Sequence, residues 1–228
     1  MVPTSKGPFA KRPYYPDDAI ERICSDALAE TNLLPSEPGK VRIDRFIDKK
    51  FGVPIIFEPL PAQVLGFTEF GPKGVEAIHI AEPAGYHAKA EDRRINSTLA
   101  HEAGHGLMHA HLFILGLQHG DLFGNDPDVS QKRVLCREVD DKPADPQRRY
   151  DGRWWEFQAN CAIGALLMPK KIFLGFMQPF LEQLGSVGIP NLPSGRREEA
   201  IRAAANIFDV NPAAARVRID SMFPGATR

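Results

Sequence analysis

The sequence predicts an α+β protein in which a small sheet packs against helices and a helical region ends the chain. Residues 53–82 contain three runs with the β-branched and aromatic composition of strands, separated by proline and glycine turns. The segments on either side place apolar residues at helical spacing. With 228 residues, 43% hydrophobic and 25% charged, the chain can build an ordinary soluble core in one large domain or two small ones.

The first fifty residues predict a tail and two helices. Residues 1–16 are rich in proline and carry no periodic pattern, so we expect a flexible tail. Asp17 and Asp18 can cap the helix that follows, because aspartate accepts hydrogen bonds from the N–H groups of a first helical turn. A second helix is expected near Val41–Phe51, and Gly52 suits its C-terminal cap.

The middle of the chain changes from strand to helix periodicity. VPIIFE, VLGFTEF and VEAIHIAE predict three strands, which we expect to form a small antiparallel or mixed sheet. RRINSTLAHEAGHGLMHAHLFIL then predicts a helix. Residues 116–150 are charged and loop-like, apart from the short strand candidate KRVLCREV, and we interpret them as an insert.

Helices are predicted for most of the remaining chain. WWEFQANCAIGALLMP is helical and ends at Pro169, and KKIFLGFMQPFLEQLG is an amphipathic helix that Pro179 should kink. The tail predicts two helices around the turn DVN, the second capped by Asn211 with Pro212 in its first turn. The predicted organisation has three parts: a tail over 1–16, a main domain over 17–190 with the insert at about 116–150, and a C-terminal helical subdomain over 191–228.

Composition excludes several classes of function. The formal net charge of −1 argues against a protein that mainly binds a polyanion. No apolar run reaches the length of a membrane span, and the N-terminus carries no apolar export signal. Cys24, Cys136 and Cys161 are widely spaced and form no CxxC pair, as is typical of reduced cysteines, so we expect a cytoplasmic protein.

His101, Glu102 and His105 form the pattern HExxH. Side chains four residues apart lie on one face of a helix, so the two imidazoles can bind one metal ion, and imidazole pairs favour zinc. Glu102 lies about 100° around the helix, where a carboxylate can take a proton from a water molecule at the metal. The alternative is a solvated helix face, but Leu99 and Leu107 predict that the helix is buried.

HEAGHGLMH followed by EFQANCAIGALLMP resembles the ImmA/IrrE family of metallo-endopeptidases, whose pattern is HELGH with a further histidine and then an ExxAN or ExxAD helix ending in LLMP. IDRFIDKKFGVPI and IFDVNPAAARVRI are similar to that family's flanking segments, so the resemblance covers roughly residues 40–223. It implies a zincin-like fold of a mixed sheet, an active-site helix and further helices. It also implies zinc and the cleavage of a protein substrate, which in characterised members is a helix-turn-helix repressor.

The resemblance also implies roles for individual residues. His101 and His105 would bind Zn²⁺, Glu156 would be the third ligand, and Glu102 would be the general base. Asn160 lies one helical turn after Glu156, where its side chain can accept a hydrogen bond from a ligand histidine.

This chain departs from the family's pattern in two places. The gap between His105 and Glu156 is longer than in the family, which puts the substrate, rather than the zinc site, in doubt. Gln158 and Asn160 replace acids often seen at these positions; Asn160 is a common variant, and Gln158 only removes a charge.

The sequence leaves some rivals for the third ligand. His111 occupies the last position of the metzincin pattern HExxHxxGxxH, but Met108 replaces the glycine that breaks the helix in that pattern. An unbroken helix places His111 about 280° from the first histidine. Asp121 and Glu138 are further candidates. His109 is expected to pack or to form a hydrogen bond rather than to bind the metal.

Other assignments rest on weaker patterns. Tyr86, His87 and Tyr150 are weak candidates for stabilising the oxyanion of a peptidase reaction. The strand VEAIHIAE could bind a substrate by edge pairing. The rival to a peptidase is a regulatory protein that keeps zinc for structure and acts on DNA or a repressor through its C-terminal helices.

The C-terminal helices are basic, but acidic residues offset most of that charge, so we expect a packing or docking role rather than direct DNA binding. The residues concerned are Arg196, Arg197, Arg202, Arg216 and Arg218 against Glu198, Glu199, Asp209 and Asp220.

Overall fold

The computed structural model describes residues 2–3, 11–13, 15–83, 89–120, 133–138, 153–184 and 189–224. In chain order the helices of these residues are α1 (Asp17–Glu30), α2 (Ile43–Phe51), α3 (Lys89–Gly120), α4 (Trp154–Leu167), α5 (Lys170–Met177), α6 (Ser194–Ile207) and α7 (Pro212–Met222). The strands are β1 (Val2–Pro3), β2 (Lys11–Arg12), β3 (Ile55–Glu58), β4 (Val64–Gly71), β5 (Gly74–Ala81), β6 (Arg133–Glu138), β7 (Glu182–Leu184) and β8 (Ile189–Asn191). The predicted α+β class is confirmed.

The main sheet is mixed, which is one of the two arrangements that we expected for it. Its strand order is β3-β5-β4-β6, with β4 antiparallel to both of its neighbours and β3 parallel to β5. Gly74, at φ 116°, closes the tight β4–β5 hairpin and leaves the other edge of β5 to β3. The strand candidate in the insert is confirmed as β6, which forms the edge beside β4.

The ends of three helices follow from local chemistry. Asp17 and Asp18 lie inside the first turn of α1 instead of capping it, and their charges favour the positive end of the helix dipole. Gly52 ends α2 with φ 66°, the left-handed conformation that glycine adopts without steric cost. Asn211 caps α7 by accepting a hydrogen bond from the backbone N–H of Ala213, as predicted.

Two helices differ in length from the prediction. Helix α3 continues to Gly120, so its last turns extend into the segment that we interpreted as a loop from residue 116. Helix α5 ends at Met177, and the short 3₁₀ helix Gln178–Phe180 follows it, because Pro179 lacks the N–H that would continue the α-helix. The chain then forms the β7–β8 ladder, which the periodicity did not predict.

A single large core connects the sheet to the helices. Ile78 and Ile80 on β5 belong to it together with Leu99 and Met108 on α3 and Leu166 on α4, all of them buried. Burying each such side chain contributes about 1.5–3 kcal/mol. The core therefore fixes α3 between the sheet and α4, so that polar side chains of α3 can contact both.

The described residues contain no single helix that is long and apolar enough to cross a membrane, although α4 together with Lys170–Phe180, bent by 62°, satisfies length and composition as a pair. The division of the chain at residues 16 and 190 stays a prediction. Within the predicted tail, β1 pairs with β2, and Pro13 is buried.

Candidate metal centre

A close helix contact brings the candidate residues together. A Cβ atom at Gly104 of α3 would lie 2.6 Å from the Cβ of Ala162 and 3.3 Å from the Cα of Ala159, both on α4. Only glycine permits this approach without a shift, because real Cβ atoms do not come so close. The glycine inside HEAGH therefore allows α4 to pack directly against the histidine face of α3.

Three side chains from the two helices converge at this contact. The Nε2 atoms of His101 and His105 lie 3.0 Å apart. The two carboxylate oxygens of Glu156 lie 3.2 Å from Nε2 of His101 and 3.4 Å from Nε2 of His105. Both histidines are fully buried, and the side chain of Glu156 is 14% exposed. This cluster could hold a metal ion.

The separations fit a small tetrahedral cation. Zinc bonds to imidazole nitrogen and carboxylate oxygen at about 2.0–2.1 Å, which places neighbouring ligands of a tetrahedron roughly 3.3 Å apart. The three distances of 3.0, 3.2 and 3.4 Å lie around that value. Two imidazoles and one carboxylate are also the donor set of many catalytic zinc sites, which leave a fourth position open.

Glu156 carries the negative charge that a cation site needs. Burial raises the pKa of this carboxyl group, but the hydrogen bonds and charges of His101 and His105 outweigh burial and bring the pKa well below its ordinary value. The side chain is therefore ionised near neutral pH.

Each histidine of the cluster is oriented by a different partner. Nδ1 of His101 lies 3.1 Å from Oδ1 of Asn160, the contact that the position of Asn160 predicted. Nδ1 of His105 lies 3.0 Å from Nδ1 of His109. Such contacts hold the ring so that Nε2 points at the metal position.

His109 forms hydrogen bonds, as expected, and its second partner comes from α4. Its Nε2 lies 2.9 Å from Oε1 of Gln158, and its ring meets Trp154 edge-on. Burial lowers the pKa of His109 well below its ordinary value, and the neighbouring His105 lowers it further, so the imidazole is neutral. Gln158, which the sequence suggested only as a lost charge, is a structural partner of the histidine row.

Glu102 is fully buried beside the sheet. The Thr68 hydroxyl on β4 donates to Oε2 of Glu102 at 2.8 Å and also lies 3.2 Å from its backbone carbonyl oxygen. This contact fixes the carboxylate rotamer. Sequence reasoning did not identify Thr68, although a polar residue between Gly66 and Phe70 on the buried face of β4 was a usable signal.

The remaining candidates separate into two groups. Helix α3 runs unbroken past His111, as the argument from Met108 requires, and His111 is half-buried outside the cluster. The residues that lie outside the described part of the chain, or whose side chains do, are Tyr86, His87, Asp121, Glu138 and Tyr150.

Two comparisons with known proteins found no match for this chain. No family model matches it, and no curated protein is similar enough to count as a match.

Proposed function

We propose that this chain is a zinc-dependent metallo-endopeptidase with a zincin-like fold. The single observation that supports it most is the convergence of His101, His105 and Glu156 from α3 and α4 at tetrahedral ligand separations. A buried carboxylate, Glu102, lies between the two histidines in the chain. A structural zinc site needs no carboxylate there, whereas a hydrolytic site does.

The chemistry follows from the residues present. His101, His105 and Glu156 would hold the ion, and zinc in such a site supplies a Lewis acid that polarises a peptide carbonyl and makes water more acidic. Glu102 takes the proton from the attacking water and passes it to the leaving amine. Thr68 holds the carboxylate of Glu102 in one orientation, so that its proton-accepting oxygen does not rotate away.

The proposed substrate is a helix-turn-helix repressor in the cytoplasm, which rests on the resemblance to the ImmA/IrrE family. The strand pairing of the main sheet limits where an extended peptide could bind. Over Ile78–Ile80, β5 is paired on both sides, so this part of the strand cannot accept a substrate and our expectation of edge pairing there is wrong. In the described sheet the edge strands are β3 and β6, and a pairing substrate would have to use one of them.

The alternative function is a non-proteolytic regulatory protein that contacts DNA or a repressor through α6 and α7. The arginines of these helices argue against a DNA surface. Arg218 is buried, and its guanidinium contacts the Glu21 carboxylate and the Met168 carbonyl. Arg197 contacts the Asp220 carboxylate and the carbonyl of Phe223.

The three other arginines are also engaged within the chain. Arg216 forms an ion pair with Glu198, and Arg202 donates to the backbone carbonyl of the same Glu198. Arg196 donates to the carbonyl of Pro179. These three contacts are exposed, so the case for a packing or docking role rests on the enclosed Arg197 and Arg218, which cannot turn outward to a phosphate.

The decisive experiment compares the wild type with Glu102→Gln. We expect the purified wild type to hold one zinc ion and to cleave a helix-turn-helix repressor or a peptide library derived from such proteins. Glu102→Gln should hold the same zinc and lose hydrolysis by about 10²–10⁴-fold, because the amide cannot accept the proton. Glu91→Gln, a carboxylate on the same helix that pairs with Arg94, is the matched control.

Two results would contradict the proposal. Full cleavage by zinc-loaded Glu102→Gln would remove Glu102 from the reaction. A wild type that holds zinc but cleaves no peptide, while it retains a repressor on a pull-down column, would favour the regulatory alternative.

A further inference from the structure

A buried row of side chains leads from the metal centre to the N-terminal segment. His105 contacts His109 through their Nδ1 atoms at 3.0 Å, and His109 contacts Oε1 of Gln158 through Nε2 at 2.9 Å. The amide nitrogen of Gln158 donates to the backbone carbonyl of Pro13 at 3.1 Å. His105 and His109 are fully buried and Gln158 is 5% exposed, so bulk water does not compete along the row.

The direction of every hydrogen bond in this row follows from its last member. A backbone carbonyl can only accept, so the NH₂ group of Gln158 must face Pro13 and its oxygen must face His109. That oxygen also only accepts, which requires a proton on Nε2 of His109. The carbonyl of Pro13 therefore sets the orientation of the Gln158 amide and the proton position on His109.

The same logic reaches the metal ligand. The Nδ1–Nδ1 contact of His105 and His109 can contain one proton, because two N–H groups would repel at 3.0 Å. A neutral His109 with its proton on Nε2 has a bare Nδ1 and accepts. His105 therefore carries a proton on Nδ1, so that Nε2, which faces His101 and Glu156, is the nitrogen left to bind the metal.

We propose that His109 and Gln158, anchored on the carbonyl of Pro13, are positioning residues that keep a proton on Nδ1 of His105 and so present its Nε2 to the metal. The N-terminal segment around Pro13 thus contributes to metal affinity without touching the metal. The inference deepens the proposed zinc site and rests on it for the identity of the ion.

The other histidine ligand, His101, has a partner in a different environment. Asn160 is exposed, so water can replace its contact with His101. Water cannot easily replace His109 or Gln158, because both are buried. Loss of the His109–Gln158 row should therefore weaken metal binding more than loss of Asn160.

The test uses the full chain and three variants. His109→Phe keeps an aromatic ring against Trp154 but cannot accept from His105, and Gln158→Leu removes the link to Pro13. Deletion of residues 1–13 removes the anchor while leaving both side chains. Thr31→Val, which removes a buried hydroxyl that bonds to backbone carbonyls at the end of α1, is the control for a general loss of a buried hydrogen bond.

Two readouts separate positioning from a merely structural role. Zinc affinity, measured by competition with a chelator, should fall about 10–100-fold in His109→Phe and by a smaller factor in the other two variants. In metal-free protein with ¹⁵N-labelled histidine, Nδ1 of His105 should be protonated in the wild type and should lose part of that protonation in the variants. Thr31→Val should change neither quantity.

The outcomes are distinct from those of the hydrolysis experiment. Wild-type zinc affinity and wild-type protonation of Nδ1 in folded His109→Phe and Gln158→Leu would overturn the inference, whether or not the protein cleaves peptides. If neither variant folds, the wild-type spectrum still decides, since a His105 without a proton on Nδ1 in metal-free protein contradicts the proposal. If zinc affinity depends on His109 but the protein has no hydrolytic activity, this inference is supported and the proposed peptidase function is contradicted.

Discussion

The metal centre and the C-terminal helix pair both bury polar side chains, but the two regions provide charge partners for these side chains in different ways. In the centre, the electronegative atoms of His101, His105 and Glu156 face one another at 3.0–3.4 Å. In the C-terminal pair, the buried Arg218 meets the Glu21 carboxylate and a backbone carbonyl. The first group is arranged around a position that suits a cation, and the second already contains its cation.

The difference shows how to interpret buried charge in this molecule. Burying an ionisable group without a partner is costly, so a stable fold provides the partner within the chain or takes it from outside. Arg218 has its partner within the chain, so its charge serves packing. The histidine cluster fits a partner taken from outside, namely a cation. Removing a member of the cluster should therefore reduce the metal content, whereas removing Arg218 should reduce the stability.

The largest expected effect is loss of the metal. Glu156→Ala removes one of three ligands and the only carboxylate among them, so we expect zinc to be lost on dialysis against a weak chelator while the fold persists. His111→Ala, on the same helix as the histidine ligands but outside the cluster, should keep its zinc. Metal analysis after dialysis measures both, and the reverse pattern would assign the third ligand to His111.

Arg218→Met should have the next largest effect, and on stability alone. Removing one partner of a fully buried ion pair costs about 3–5 kcal/mol, and because the Glu21 carboxylate keeps some access to water we expect about 2–3 kcal/mol here. Zinc per folded molecule should not change. The double variant Arg218→Met, Glu21→Leu should recover much of the loss in denaturant unfolding, and a double variant as unstable as the single one would contradict the ion-pair explanation.

The contrast also shows how far the sequence predicts the molecule. The HExxH spacing is local, so His101, Glu102 and His105 could be placed on one helix without a structure, and the resemblance supplied Glu156 and Asn160. The strands and most helix ends follow from equally local signals such as Gly52 and Asn211.

Long-range partners could not be predicted in the same way. Gln158 reaches His109 across 49 residues and Pro13 across 145, and Thr68 meets Glu102 from another element. Each contact exists only because the helices and the sheet pack at particular distances. The parallel pairing of β3 with β5 escaped prediction for the same reason, because alternation within a strand does not specify its neighbour.

A smaller effect on stability is expected at the helix contact that builds the centre. Gly104→Ala places a methyl group 2.6 Å from the Cβ of Ala162, so α3 and α4 must move apart. Such overpacking costs about 1–3 kcal/mol. Because the shift also moves Glu156 away from the histidines, zinc affinity should fall together with stability.

The matched control for this substitution is Gly175→Ala on α5, where an added Cβ meets nothing within 4 Å. Alanine favours helix over glycine, so this variant should be unchanged or slightly more stable, with normal zinc affinity. Calorimetry and chelator competition on both variants check the prediction. Normal zinc affinity in a destabilised Gly104→Ala would mean that Glu156 does not depend on the close contact.

The smallest effect should come from the exposed end of the C-terminal pair. The hydrogen bond from Arg216 lowers the pKa of Glu198, and burial, which would raise it, is negligible at this exposed site. A carboxyl group with a lowered pKa in the folded state stabilises the fold above its unfolded pKa, and that contribution disappears as the pH falls through the folded value. Arg216→Gln should therefore lower the Tm only slightly at pH 7, and the difference from the wild type should shrink as the pH falls below about 4, where an unperturbed glutamate protonates, and vanish below the lowered folded pKa. Added salt should reduce it in the same way, because exposed pairs are screened. A Tm loss as large as that of Arg218→Met, or one that persists in acid, would contradict this prediction. It would show that Arg216, like Arg218, stabilises the packed interior.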